Sequence, residues 1–328
     1  MNRISDILHV KYPIIQAPMA WITSAELVAA VSNAGGMGTL GANAGQTTVT
    51  TDPAETGERL RTQIRKTRTL TDKPFAVNYM IPGTGVGGAD ELSGGFSEAT
   101  LKVVCEEKVQ YVVAVGEINV EVIQRLKELG LTVIYRSLDA TIENSKQAEA
   151  AGADIIVATG FDEGGGMPSK SIGTFSIVPI IADSVSIPVM AAGGIVDNRG
   201  FKAALALGAE GAFVGTAFMV AEECVTSAAC KQDIINTEST DLLLYKALPS
   251  YWRVTPHKLG FECYEKSEQG APVLEIANMM KGTQGLKIAQ LDGDLDGGVN
   301  SVNAAISLIK EIRSCKTIID EMVKGLAF

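Results

Sequence analysis

Histidine is almost missing from this chain, with only His9 and His257 among 328 residues. No HExxH and no pair of neighbouring imidazoles exists, which argues against a histidine-built zinc site. Cysteine is sparse as well. Cys105, Cys224, Cys230, Cys263 and Cys315 are odd in number and show no CxxC spacing. That pattern suits reduced thiols and a cytoplasmic location, not a disulfide frame, and no metal site is expected. Lys/Arg-rich runs are missing, and 38 acidic residues outnumber 28 basic ones for a net charge of −10. Nucleic acid and anionic membranes are therefore poor partners. Asp183, Asp197 and Arg199 interrupt the most apolar region, so no stretch approaches the ~18 residues of a membrane span. Asp6 and Lys11 stand where a signal peptide needs its apolar block, which argues against export. With 34 Gly and 11 Pro the chain is neither collagen-like nor low-complexity.

What is present is a rhythm. Short β-branched apolar runs lie at residues 13–15, 37–40, 75–79, 111–115, 132–135, 154–158, 188–191 and 211–214. Helix-like stretches fall between them, at 24–34, 53–66, 98–107, 120–129, 142–151, 174–184 and 200–207. Alternating strands and helices imply βα units on a parallel sheet, and eight such units imply an α/β fold of the (β/α)8 TIM-barrel type. Local signals agree. Asp52-Pro53 reads as an N-cap followed by proline at the first helical position, and Gly130 reads as a helix stop.

Two segments depart from the rhythm, and a third closes the chain. Residues 81–96, IPGTGVGGADELSGGF, form a glycine-rich stretch after the third run and are expected to be a lid over the active face. Residues 224–298 follow the eighth run and are expected to form a small helical and loop excursion packed on the barrel, which itself comprises 1–223 and 299–328. Residues 301–322 carry apolar positions near helical spacing and are expected to be the closing helix.

Barrel chemistry sits where strands end. Gly193 and Gly194 follow the seventh run; Gly215 and Thr216 follow the eighth. Glycines there let a backbone approach a ligand, and their N–H groups, backed by helix N-termini, make a phosphate cradle. Ala17, Pro18 and Met19 after the first run offer a small-residue bend against which a flat ring fits. Asn78 has an amide able to bond a ring's polar edge. Arg136 brings a cation to a ring that turns anionic on reduction. A sugar-phosphate lyase or isomerase is the rival from another class, and no lysine stands at an expected strand end to serve it.

With these pieces in place, the chain resembles the nitronate monooxygenase, or 2-nitropropane dioxygenase-like, family of FMN-dependent barrels, which includes the type II flavin-dependent enoyl-acyl-carrier-protein reductases. The matching segments are PIIQAPMAWI, AVSNAGGMGTLGA, KPFAVNYM, AGADIIVATGFDEGG, IPVMAAGGIVDNRG, AALALGAEGAFVGTAF and DGDLDGGVNSVNAAISLI. The resemblance implies FMN as cofactor and oxidation of alkyl nitronates with O2. It also implies, as an alternative, NAD(P)H-dependent reduction of an enoyl thioester or quinone. Ala17, Pro18 and Met19 would lie along the ring, with Asn78 at its edge and Arg136 beside it. Gly193, Gly194, Gly215 and Thr216 would hold the phosphate, with Asp162 and Gly165 also on the cofactor side. The partner is a small molecule; a homodimer is left open. The family's sixth-strand motif ends on histidine, whereas here Gly166 stands in that place. Tyr79, Glu163 and Ser171 are candidates for the chemistry the missing imidazole would do, with Ser169 and Lys170 nearby.

Overall fold

Each strand–helix junction carries its own start and stop chemistry. Ser24 accepts from the Leu27 N–H, Asp52 from Ala54 with Pro53 beginning the helix, and Asn119 from Val122. Thr141 and Asn144 form a reciprocal capping box. Gly130, Gly152 and Gly208 lie at positive φ just after helices. A computed structural model describes residues 2–83 and 90–328.

The eleven strands among the described residues are β1 (Ile14–Gln16), β2 (Thr39–Leu40), β3 (Ala76–Met80), β4 (Tyr111–Val115), β5 (Thr132–Arg136), β6 (Ile155–Thr159), β7 (Gly166–Met167), β8 (Val189–Ala192), β9 (Gly211–Val214), β10 (Leu243–Lys246) and β11 (Tyr251–Val254). Eight of them make one parallel sheet in the order β1-β9-β8-β6-β5-β4-β3-β2. A parallel bridge between Ile15 and Met37 joins its two edges, so the sheet is a TIM barrel.

Strand alternation divides the core in two. Ile15, Ala76, Val113, Ile134, Val157, Met190 and Phe213 fill the barrel interior. Val77, Tyr79, Val112, Val133, Ile156 and Ala191 face the helices, where they pack against Leu27, Leu101, Ile123 and Phe201. The interior side chains near the strand ends, among them Asn78 and Arg136, therefore face the mouth.

Two sequence expectations need correction. Residues 224–298 are not only helix and loop. β10 and β11 form a hairpin there, and β11 pairs antiparallel with β7, so the excursion is stitched to the loop after β6. The aromatic and β-branched residues of YWRV suit a strand, and Trp252, Arg253 and Val254 are buried.

Residues 301–322 are not one helix. Only Ile306–Leu308 forms a 3-10 turn, and a helix begins at Cys315. The apolar spacing is real, since Val302, Ile306 and Ile309 are buried. Polar partners override it: the Asn303 N–H donates to Thr216 Oγ1 at 3.1 Å, and Ala305 N–H donates to Asn303 Oδ1 at 2.9 Å. The expected lid lies partly outside the described residues, which omit 84–89; from Asp90 the chain is helical to Glu106. No helix among the described residues is long and apolar enough to cross a membrane.

Candidate functional site

The first side of the mouth is made by β8 and β9, which are neighbours in the sheet. Gly193 has φ +105° and Gly194 φ +69°. A Cβ at Gly193 would lie 2.7 Å from Thr174 Oγ1 and 2.9 Å from the Gly160 carbonyl oxygen, so only glycine fits. The N–H groups of Gly193, Gly194, Gly215 and Thr216 have no acceptor among the described residues. Four unbonded donors on adjacent strand ends make a place for a multivalent acceptor such as phosphate.

The helix N-termini expected behind them are not the donors. Asp197 already caps the helix Asn198–Ala206 by accepting from Arg199 and Gly200 N–H. The helix after Gly215 has four residues. The Thr216 hydroxyl accepts from Asn303 and keeps its own proton to donate. On the outer side of Gly193 and Gly194, bordered by Phe175, Ile195 and Ala304, lies an open cleft of about 300 Å³.

The adjoining floor comes from β1. Ala17 N–H donates to the Val214 carbonyl at 2.8 Å, and the Met19 carbonyl accepts the Thr23 hydroxyl at 2.9 Å. These bonds hold the bend through Pro18. A Cβ built on Gly215 would meet Ala17 and Met19 only at 3.8–3.9 Å, so a glycine here leaves room beside that bend. Gln16, fully buried, accepts from Thr39 N–H at 3.0 Å.

Asn78 projects from β3 into the interior. Its Nδ2 reaches Met80 Sδ at 3.5 Å, whereas its buried Oδ1 has no partner. Thr39 Oγ1 and Thr159 Oγ1, on interior positions of β2 and β6, are likewise buried and unpartnered. Orphaned polar atoms of this kind are costly unless a ligand meets them.

The side next to β8, made by the ends of β5 and β6, is charged. Arg136, the last residue of β5, pairs through Nη2 with Glu163 Oε2 at 2.6 Å, with side chains 12% and 10% exposed. Burial pushes the Glu163 carboxyl up to about 7, against the pull of Arg136 and then Arg253. Arg253, on β11, donates to the carbonyls of Glu163 at 2.6 Å and Phe161 at 3.0 Å, and its guanidinium lies 5.6 Å from the Phe161 ring centre. Burial lowers the Arg253 pKa.

Asp162 and Gly165 belong to the framework of this loop. Asp162 Oδ2 accepts from Thr174 N–H at 2.6 Å, and Gly165 N–H donates to Ser301 Oγ at 2.8 Å. Gly166 lies in β7 opposite Trp252, where a Cβ would sit 3.3 Å from the Pro249 ring.

Tyr79 and Ser171 are not brought to the mouth with these residues. Tyr79 faces the helix layer, and burial together with the charge of Glu98 pushes its phenol up to about 12. Ser171 is exposed, as are Ser169 and Lys170, and Ser169 N–H is held by Asp139 at 2.5 Å. Sequence reasoning passed over Arg253, Ser301 and Asn303. The signals available for them were an arginine flanked by aromatic and β-branched residues, and two polar residues breaking an apolar spacing.

Comparison with known proteins defines the class. The family model of nitronate monooxygenase matches residues 1–325, and the chain belongs to that family and is an oxidoreductase. A probable nitronate monooxygenase of Staphylococcus aureus strain JH9 is 35% identical over 281 residues, 75% of either chain. One from Staphylococcus haemolyticus strain JCSC1435 is 34% identical over 277 residues, 74% of either chain. Among solved structures, FabK from Thermotoga maritima superposes with a TM-score of 0.85 at 33% identity, covering 99% of this chain and 95% of that one. The nitroalkane oxidase of Streptomyces ansochromogenes superposes with a TM-score of 0.79 at 26% identity, covering 98% and 97%.

Proposed function

We propose that this barrel binds FMN at its mouth and oxidises alkyl nitronates with O2. The observation that carries the reading is the set of four unbonded amide N–H groups at Gly193, Gly194, Gly215 and Thr216. They fit a terminal phosphate. The Ala17–Met19 bend fits a flat ring, and the unpartnered Asn78 Oδ1 fits that ring's N–H edge. FMN, when bound, supplies the electron transfer and the reaction with O2.

The chain's own residues set which substrate protonation state is taken. No imidazole stands at the mouth: His9 caps the first helix, and His257 is bound to Asp233 at 2.8 Å on the excursion. Glycine at position 166 supplies no base either. Removing a proton from a neutral nitroalkane near neutral pH calls for such a base. A nitronate is already an anion and needs none. Arg136, whose Nε and Nη1 have no acceptor among the described residues, would orient its charged nitro group. In the same reading residues 1–223 and 299–328 form the barrel, and 224–298 form an excursion that walls the mouth.

The family resemblance carries one alternative, NAD(P)H-driven reduction of an enoyl thioester or quinone, which also needs no protein base. Anaerobic mixing separates the two. The purified protein is expected to be yellow and to bleach with an alkyl nitronate but not with NADH or NADPH. Fast bleaching by a nicotinamide would replace the main reading with the alternative. A colourless protein that FMN does not reconstitute would overturn both.

A further inference from the structure

The loop after β6 presents two adjacent acids with different roles. Asp162 is committed to the Thr174 N–H. Glu163 turns the other way, to Arg136. Its position is fixed from three directions. The Glu163 N–H donates to the Gly160 carbonyl at 3.2 Å, its own carbonyl takes Arg253 Nη1 at 2.6 Å, and the Gly165 N–H is tied to Ser301. A loop held this way does not swing its carboxylate outward.

The two carboxylate oxygens are unlike. Oε2 holds Arg136, whereas Oε1 is buried with no partner. A sealed oxygen does not receive a proton directly from a substrate, so Glu163 reaches a ligand only through Arg136. Arg136 has one donor group on Glu163, and its remaining donors have no protein acceptor among the described residues. A guanidinium presents a planar fork that suits nitro, nitrate and carboxylate groups.

We infer that Glu163 is a specificity-determining residue that sets how strongly Arg136 attracts a planar anion. Ionised, it cancels the guanidinium charge; protonated, it leaves that charge uncovered. This rests on the strand ends being the ligand mouth, as in the function proposed above.

The charged neighbours on every side of Glu163 fit this role. Arg136 faces it from β5, Arg253 from β11, Asp139 from the loop after β5, and Asp162 precedes it; Glu117, after β4, faces Asp139. Burial is the largest influence on Glu163 and the two arginines oppose it, leaving its titration near pH 7.

Sodium nitrate is the probe, since it is planar and keeps its charge throughout. Calorimetric titration of the protein as purified, at pH 6 and pH 8, reads heat and does not depend on flavin colour. A group titrating near 7 is about nine-tenths protonated at the lower pH and one-tenth at the higher, so nitrate is expected to bind roughly tenfold more tightly at pH 6. Glu163→Gln should bind at the tighter affinity at both pH values. Glu163→Asp, which keeps a carboxyl, should retain a pH dependence and guards against loss of fold in the first variant. Arg136→Gln should weaken nitrate about tenfold or more at pH 6, and Glu117→Gln should leave the wild-type profile intact. The inference is overturned if Glu163→Gln keeps the wild-type pH dependence, if Arg136→Gln binds nitrate as well as wild type, or if nitrate does not bind at either pH. A colourless protein that shows the expected nitrate profile would remove FMN and leave this inference standing.

Discussion

Around β8 and β9 the mouth offers backbone: the N–H groups of Gly193, Gly194, Gly215 and Thr216, with no charged side chain among them. Around β5 and β6 it offers side chains: Arg136 and Glu163 paired at 2.6 Å, with Arg253 bracing the loop behind them. The difference is physical. Backbone donors have a fixed direction and a partial charge that pH does not alter, which suits a permanently held group. Side-chain charges titrate and move, which suits the step where a substrate's charge matters. In the proposed reading the first is the cofactor side and the second the substrate side, and the two differ in material.

The sharpest way to break this comparison is Gly193→Val. Gly193 sits at φ +105°, and an added Cβ would press on the Gly160 carbonyl at 2.9 Å. Strain and displacement together cost about 4 kcal/mol, so FMN affinity should fall roughly a thousandfold. Flavin content from the visible spectrum reads this directly. Retention of full flavin content would show that the backbone of the β8 end does not hold the cofactor.

Arg253→Met tests the other side. It keeps the volume but strips the charged donors from the Phe161 and Glu163 carbonyls. Two acceptors left without these donors cost about 3 kcal/mol in denaturant unfolding. Flavin content should change far less than in Gly193→Val. Equal loss of flavin in both variants would collapse the distinction between the two sides.

The third effect is one of pH. A buried carboxyl whose folded-state pKa is raised binds its proton more tightly folded than unfolded. Stability from this group is thus greatest below the unfolded carboxylate's range, declines as pH rises toward about 7, and is level above it. Glu163→Gln removes that decline. Allowing for the lost bond to Arg136, the variant should exceed wild type by about 2 kcal/mol at pH 8. The gap should shrink toward pH 5. Urea midpoints at the two pH values decide it, and a gap that widened toward pH 5 would reverse the sign assigned to Glu163.

The legibility of the two sides also differed. All eight barrel strands were readable, because β-branched runs punctuated by Gly and by Asp or Ser caps are local signals. The glycine side was readable for the same reason: Gly193, Gly194 and Gly215 follow their strands immediately. The charged side was only half readable. Arg136 and Glu163 were each visible as candidates, but their pairing spans 27 positions and the brace, Arg253, lies 92 positions from the Phe161 carbonyl it holds. Long-range pairing of that kind leaves no spacing to detect. Residues 301–309 misled for a related reason, since apolar spacing records burial and not the backbone that achieves it.

The smallest effect is expected one residue away from the mouth. Asn78 and Tyr79 are neighbours on β3, and strand alternation puts the amide inside the barrel and the phenol against the helices. Tyr79 was a reasonable candidate at a strand end, but its ring packs in the outer layer and burial holds its hydroxyl protonated to about pH 12. Tyr79→Phe should therefore change kcat/KM by less than about twofold and stability by under about 1 kcal/mol. Asn78→Ala, by contrast, removes the unpartnered acceptor assigned to the ring edge and should weaken FMN about tenfold. Measured side by side, the pair asks whether function follows the parity of the strand. A large loss of turnover in Tyr79→Phe with flavin content intact would mean that the helix-facing layer, not the barrel interior, carries the chemistry.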